Sequence, residues 1–159
     1  MQLILWRHAE AEDDAVSDLA RALTPKGLHQ ATQMAAWFMT QAGPDLARWK
    51  VMVSPATRAQ QTAAALSSLS GIKPETVESI APEARSDAIL QAAGWPDSTD
   101  NVIVVGHQPT LGLVIVQLLS NADEYVSVKK GAMWWFETHA RDNAYQTTLR
   151  VMTTPRSLR

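Results

Sequence analysis

The residues best equipped for chemistry in this chain are Arg7 and His8, which follow the apolar run Leu3-Ile4-Leu5-Trp6. Arginine is a permanent cation with planar, multi-donor geometry. An imidazole with an ordinary pKa of about 6.5 is available in its neutral, nucleophilic form at physiological pH. Side by side, the two suit a histidine that attacks phosphorus while the arginine holds the phosphoryl oxygens. Two other segments offer matching chemistry: Ser54-Pro55-Ala56-Thr57-Arg58 and Gly106-His107-Gln108-Pro109. Arg58 would add a second cation, and His107 a further donor to the phosphoryl group. Phosphoryl transfer asks mainly for positioning and for neutralisation of the equatorial oxygens. Two arginines and two histidines gathered at one place would therefore make a phosphate site.

The elements that must gather them are legible as short apolar runs. Leu3 to Trp6, Val51 to Val53 and Val102 to Val105 read as buried strands, each followed by a polar or glycine turn. Helices are expected after the second and third, over Ala56 to Leu69 and Leu111 to Leu119. Strands alternating with helices imply a mainly parallel sheet with helices on both faces. In such sheets ligands bind outside the carboxyl ends of the strands, which places all three polar segments at one edge. Ser54 is expected to cap its helix with Pro55 at the first position, so that Arg58 falls in the first turn. There, free amides and the helix dipole favour an anion. Pro109 marks a second helix start beside His107.

Around these lie a helix from Pro25 to Gln41, capped by Thr24 and stopped by Gly43-Pro44, with Leu28, Ala31, Ala35 and Phe38 on its apolar face. A weaker strand is expected at Thr76 to Ile80 and a short helix at Ser86 to Ala93. Ala132 to Glu137 and Tyr145 to Met152 read as two strands joined by a polar loop, His139 to Asn143. Met133-Trp134-Trp135-Phe136 reads as a core strand, with a docking face beside Lys129 and Lys130 as the alternative. The expected class is α/β, a three-layer α/β/α sandwich on a mainly parallel mixed sheet. One domain over residues 1–159 is expected, with Thr153 to Arg159 as a frayed tail.

Composition narrows the function classes. A formal net charge of −2 with 19% charged residues argues against broad nucleic-acid or anionic-membrane binding, though not against a local positive pocket. The chain has no cysteine, so it has no disulfide framework and no thiolate nucleophile. The four histidines lack paired metal-ligand spacing with carboxylates, and His29 and His139 read as solvent-facing; neither a metal nor any cofactor is expected. The first apolar run is too short for a signal-peptide core or a membrane span. A cytoplasmic protein, monomeric and without nucleic-acid or membrane partners, is the expectation.

The three motifs Arg7-His8-Ala9, Ser54-Pro55-Ala56-Thr57-Arg58-Ala59-Gln60-Gln61-Thr62 and Gly106-His107-Gln108-Pro109 resemble those of the histidine phosphatase superfamily, with its phosphoglycerate-mutase-like fold. The short length and the segment Arg21 to Gly27 are most similar to its small phosphohistidine phosphatase branch, the SixA type. The resemblance implies that His8 is transiently phosphorylated and that Arg7, Arg58 and His107 form the phosphate pocket. Ala9 departs from the glycine of the superfamily's Arg-His-Gly signature, which a residue with negative φ tolerates. For a general acid, the resemblance points to a carboxylate from another strand end. Glu83, after Ile80-Ala81-Pro82, is the first candidate and Asp87 the second. Arg21 is expected to add charge at the pocket mouth.

Three functions fit these expectations. The leading one is a phosphatase that removes phosphate from phosphohistidine on a partner protein through phospho-His8, because the connections between elements are too short for a lid. The second is a phosphatase of a small phosphomonoester, or a mutase, which would need a closed site excluding water. The third is a module that binds phosphohistidine without turnover. Ser54 is not read as a nucleophile, because no Gly-x-Ser-x-Gly elbow surrounds it.

Overall fold

The run Leu3-Ile4-Leu5-Trp6 forms the interior of β1 (Gln2–Arg7), and all four side chains are fully buried. Successive side chains on a strand face opposite ways, so β1 feeds two cores at once. Ile4 and Trp6 enter one apolar cluster with Phe38, Trp49 and Leu66, while Leu3 and Leu5 enter another with Ile89, Leu111 and Phe136. The computed structural model describes residues 1–120 and 122–158.

The chain continues through α1 (Pro25–Ala42), β2 (Trp49–Val53), α2 (Thr57–Ser70), β3 (Glu75–Thr76), α3 (Ser86–Ala93), β4 (Asn101–Gly106), α4 (Thr110–Leu119), β5 (Met133–Arg141) and β6 (Ala144–Thr153). The six strands form one sheet in the order β3-β2-β4-β1-β5-β6. The pairs β3–β2, β2–β4 and β4–β1 are parallel, whereas β5 runs antiparallel to both β1 and β6. Helices α1 and α2 cover the face of Ile4 and Trp6, and α3 and α4 the face of Leu3 and Leu5. This is the expected mixed α/β/α sandwich. Among the described residues no helix is long and apolar enough to cross a membrane.

Thr24 caps α1 by accepting from the Gly27 amide at 2.9 Å, and the helix ends where Gly43 takes φ +57°. Leu28 is the exception on the expected apolar face and is exposed. Met133, Trp135 and Phe136 are buried, so this segment is core rather than a docking face.

Three expectations are corrected. The strand read at Thr76 to Ile80 has only Glu75 and Thr76 in the ladder, and a tight turn at Glu78–Ile80 then carries Ile80 down into the core. Pro74 and Pro82 bracket the segment, and a proline cannot donate to a ladder. The supposed loop His139 to Asn143 is mostly strand. Only Asp142 and Asn143 turn, at φ +50° and +63°, as a two-residue hairpin of this type requires. The outer hairpin is exposed on both faces, so no alternation betrayed it. The tail does not fray over residues 153–158: Thr153 and Pro155 are buried, and the Ser157 hydroxyl accepts from the Thr154 amide at 2.9 Å. Arg159 lies outside the described residues.

Candidate active site

Parallel register brings the three polar segments together. Arg7 of β1 pairs with Gly106 of β4, and Val53 of β2 pairs with Val105. The chain then leaves the sheet in step at all three strands. The His8 amide donates to Gly106 O at 3.1 Å, and the Ser54 amide to Val105 O at 3.1 Å. His8 and His107 thus emerge side by side, with ring centroids 5.2 Å apart. Arg58 arrives from the first turn of α2.

His8 is held in one tautomer. Its Nδ1 lies 2.8 Å from Ala9 O, and a carbonyl can only accept, so Nδ1 carries the proton. The lone pair of Nε2 is left facing the Arg58 Nε–H at 3.3 Å. Burial, reinforced by the cations Arg58, Arg7 and Arg21, pushes the His8 pKa down to about 4, against the opposing pull of the Ala9 bond. At neutral pH the ring is therefore uncharged, with its lone pair on Nε2. Ala9 is buried and keeps φ out of the left-handed region, so alanine costs nothing where the signature has glycine. Its amide donates to Thr62 Oγ1 at 3.1 Å, and that hydroxyl donates to Arg58 O at 2.8 Å. Thr62, buried inside α2, so ties the His8 turn to the helix that carries Arg58.

The other groups keep donors in reserve. Arg7 spends Nη1 on Val128 O at 2.7 Å, but its buried Nε has no partner among the described residues. His107 Nε2 lies 2.7 Å from Ser54 Oγ, and its buried Nδ1 is likewise without a partner. Burial, then the neighbouring His8 and arginines, pushes the His107 pKa down to about 3. When the Ser54 hydroxyl donates to Nε2, the proton of the neutral ring sits on Nδ1, which is then an N–H donor. A buried polar atom without a partner costs roughly 1–3 kcal/mol, a cost that an acceptor bound beside these strand ends would relieve. Arg58, also buried, is held by Asp18, with Nη1 at 2.7 Å from the carbonyl and Nη2 at 3.2 Å from Oδ2.

The start of α2 is built differently from the expected one. Ser54 does not cap α2. The helix opens after Ala56 without a side-chain cap, and Ser54 Oγ instead accepts from the Ala56 amide at 3.2 Å and meets His107. The Thr57 amide is taken by Leu19 O at 2.9 Å, and the Gly112 amide in the first turn of α4 by Gln108 Oε1 at 3.2 Å.

These groups line a cleft of about 650 Å³, with Arg21, Glu83 and Lys130 also on its wall. Glu83 is exposed on the turn after Pro82, at φ +67°, so the chain reverses there and places it against the cleft. Asp87, the second candidate acid, is not on the wall; it is exposed and pairs with Arg85 at 3.1 Å. Arg21 is on the wall but is itself anchored, donating to Glu12 O at 2.8 Å and to Asp18 Oδ1 at 3.3 Å. The sequence does not single out Asp18, and it offers Lys130 only beside Lys129, as a flank of the alternative docking face. Asp18 sits in an acidic stretch that reads as solvated surface, and nothing in its spacing announces Arg58 forty residues away.

Comparison with known proteins gives a consistent result. The model of the histidine phosphatase superfamily (branch 1) matches residues 3–81, a span that holds Arg7, His8 and Arg58 but not His107. The phosphohistidine phosphatase SixA of Escherichia coli (strain K12) is 31% identical over 125 residues, covering 74% of each chain. A SixA homolog of Haemophilus influenzae is 28% identical over 126 residues, covering 74% of this chain and 77% of its own. The solved structure of a protein histidine phosphatase SixA complexed with tungstate covers 100% of both chains with a TM-score of 0.79 at 23% identity, which shows a shared fold.

Proposed function

The chain belongs to the histidine phosphatase superfamily and is a hydrolase of that class, and we propose that it removes the phosphoryl group from phosphohistidine on a partner protein, with His8 as the transient acceptor. The observation that carries this reading is the geometry at His8: a neutral imidazole, fixed by Ala9 O, with Nε2 facing the Arg58 Nε–H in a cleft that Arg7 and His107 also line. The substrate class is supported by the two relatives at 31% and 28% identity, both phosphohistidine phosphatases in name. A fold neighbour that holds tungstate, a tetrahedral oxyanion, is in keeping with it.

The steps follow from the residues. The phosphoryl oxygens displace the water of the cleft and accept from Arg7, Arg58 and His107. His8 Nε2 attacks phosphorus in line, the Nε2–P bond forms and the P–N bond to the substrate imidazole breaks. A substrate ring already protonated on its other nitrogen leaves as neutral imidazole, so the exchange asks little of an acid. The Nδ1–H bond to Ala9 O stabilises the positive ring of phospho-His8. Water then attacks phosphorus, the Nε2–P bond breaks, His8 returns to its neutral tautomer and the surplus proton leaves with inorganic phosphate or solvent. Glu83 is placed to assist where the leaving group is an alkoxide, which does need a proton.

The test is turnover of a phosphohistidine protein and a small phosphate ester by wild type and His8→Ala. The proposal expects phosphohistidine to be the better donor by kcat/KM and the variant to be inactive on both. A clear preference for the small ester would establish the phosphomonoesterase reading instead. Tight oxyanion binding with no phosphate release from any donor would leave only a binding module.

A further inference from the structure

A second cleft, of about 890 Å³, adjoins the catalytic one and shares Arg7 and Lys130 with it. We propose that this cleft docks an acidic surface of the phosphorylated partner protein, so that carboxylates beside the partner's phosphohistidine are read by lysine and arginine side chains next to the pocket. The inference rests on the phosphohistidine-protein reading above and names what that protein must present.

Three parts of the chain remote in sequence converge to build the cleft. Lys26 comes from the first turn of α1, Lys129 and Lys130 from the segment before β5, and Arg156 from the C-terminal turn. Gly131 lets them meet. It adopts φ +76°, and a Cβ there would lie 2.8 Å from Pro155 Cγ, so a side chain would push the terminal turn and Arg156 away. The turn is closed by Ser157, whose amide donates to Thr154 O at 3.1 Å, and is anchored by buried Pro155. Lys26, Lys129, Lys130 and Arg156 are all exposed, and none forms a salt bridge among the described residues. Among the described residues Glu10 is the single carboxylate on the wall, and its Oε2 accepts from the Thr24 hydroxyl at 2.8 Å.

Concentrated positive charge stands out on a chain of net charge −2. Another flank of the catalytic pocket is acidic: Arg21 pairs there with exposed Asp13 and Asp18, in a segment that also carries exposed Glu12 and Asp14. The pocket mouth is therefore polarised. A long polyanion such as nucleic acid would cross both flanks and be repelled by one. A globular partner with a confined acidic patch meets only the basic flank, and the acidic flank fixes its orientation by excluding the reverse pose.

Two phosphohistidine peptides test this, one with glutamates around the phosphohistidine and one with glutamines in their place, alongside a small aryl phosphate. We expect wild type to favour the acidic peptide by about tenfold in kcat/KM, mainly through KM, with the preference fading as salt screens it. The triple variant Lys26→Glu, Lys129→Glu, Arg156→Glu is expected to erase that preference and leave aryl phosphate turnover unchanged. Equal use of both peptides by wild type, or a variant that loses aryl phosphate turnover in parallel, overturns the docking cleft. Fluorescence anisotropy of the unphosphorylated acidic peptide separates the two readings. If neither peptide is dephosphorylated but the acidic one binds wild type and not the variant, the substrate reading fails and the cleft stands. No binding, or tighter binding of a single-stranded DNA oligonucleotide, sinks the cleft.

Discussion

The floor of the catalytic pocket and the basic cleft beside it are both positively charged, yet they are built in opposite ways. On the floor, His8, Arg58 and His107 are buried and each is held by a short bond to a fixed partner: Ala9 O, Asp18 O and Ser54 Oγ. In the cleft, Lys26, Lys129 and Arg156 are exposed and carry no salt bridge among the described residues. Buried, pre-set donors act where charge must be met with little reorganisation, and they suit chemistry. Exposed, mobile cations act through a screened field and suit recognition. The floor should therefore govern every substrate alike, and the cleft should discriminate between them.

Changes on the floor test the first half of that contrast and should have the largest effects. Arg58→Ala and Arg7→Ala are each expected to lower kcat/KM by about 1,000-fold, for protein and small donors equally. Arg58→Lys should recover little, because one ammonium cannot reproduce the planar fork that Asp18 already positions. A large loss on the protein donor alone would merge floor and cleft into one binding surface. His107→Asn should cost about 100-fold, again on all donors.

The buried histidines also make the floor sensitive to pH. His8 and His107 have folded pKa values near 4 and 3, against about 6.5 in the unfolded chain. Below pH 6.5 the unfolded state binds more protons, so stability falls as pH falls, down through the folded values. Thermal melts should show Tm dropping from pH 7 towards pH 4, with a shallower drop in His107→Asn. In contrast, the acid limb of kcat/KM for a small donor should lie well below pH 6, since His8 stays neutral there. A limb at 6.5 would mean His8 titrates as an exposed imidazole.

Glu83 stands between the two regions, exposed but on the pocket wall. Glu83→Gln should slow an alkyl phosphate by about 10- to 100-fold and a phosphohistidine donor by no more than about threefold, because the imidazole leaves without a strong acid. Equal losses on both donors would place Glu83 with the floor.

The same contrast explains what the sequence disclosed. Arg7, His8 and His107 were legible because each follows an apolar run, and parallel strands must end at one edge. Arg58 followed from its place in the first turn of α2. Ser54 was misread as a cap, since its bond to His107 spans 53 positions and no local rule foresees it. Asp18 was hidden in a run of acidic residues whose default is solvated surface. The sequence places Lys129 and Lys130 side by side but not with Lys26 and Arg156, which join them because the C-terminal turn packs on Gly131 where the sequence predicts a frayed tail. The length of β5 and β6 escaped because an exposed hairpin has no buried face to impose alternation.

The central claim is that His8 carries the phosphoryl group, and it can be observed directly. Wild type mixed with a stoichiometric phosphohistidine donor, quenched at alkaline pH within a single turnover, should yield a phosphorylated peptide containing His8. The phosphorus should reside on Nε2 by NMR and decay at a rate no slower than kcat, and His8→Ala should show none. Wild-type turnover with no phosphoryl group on His8, or with the group on any other residue, would contradict the account.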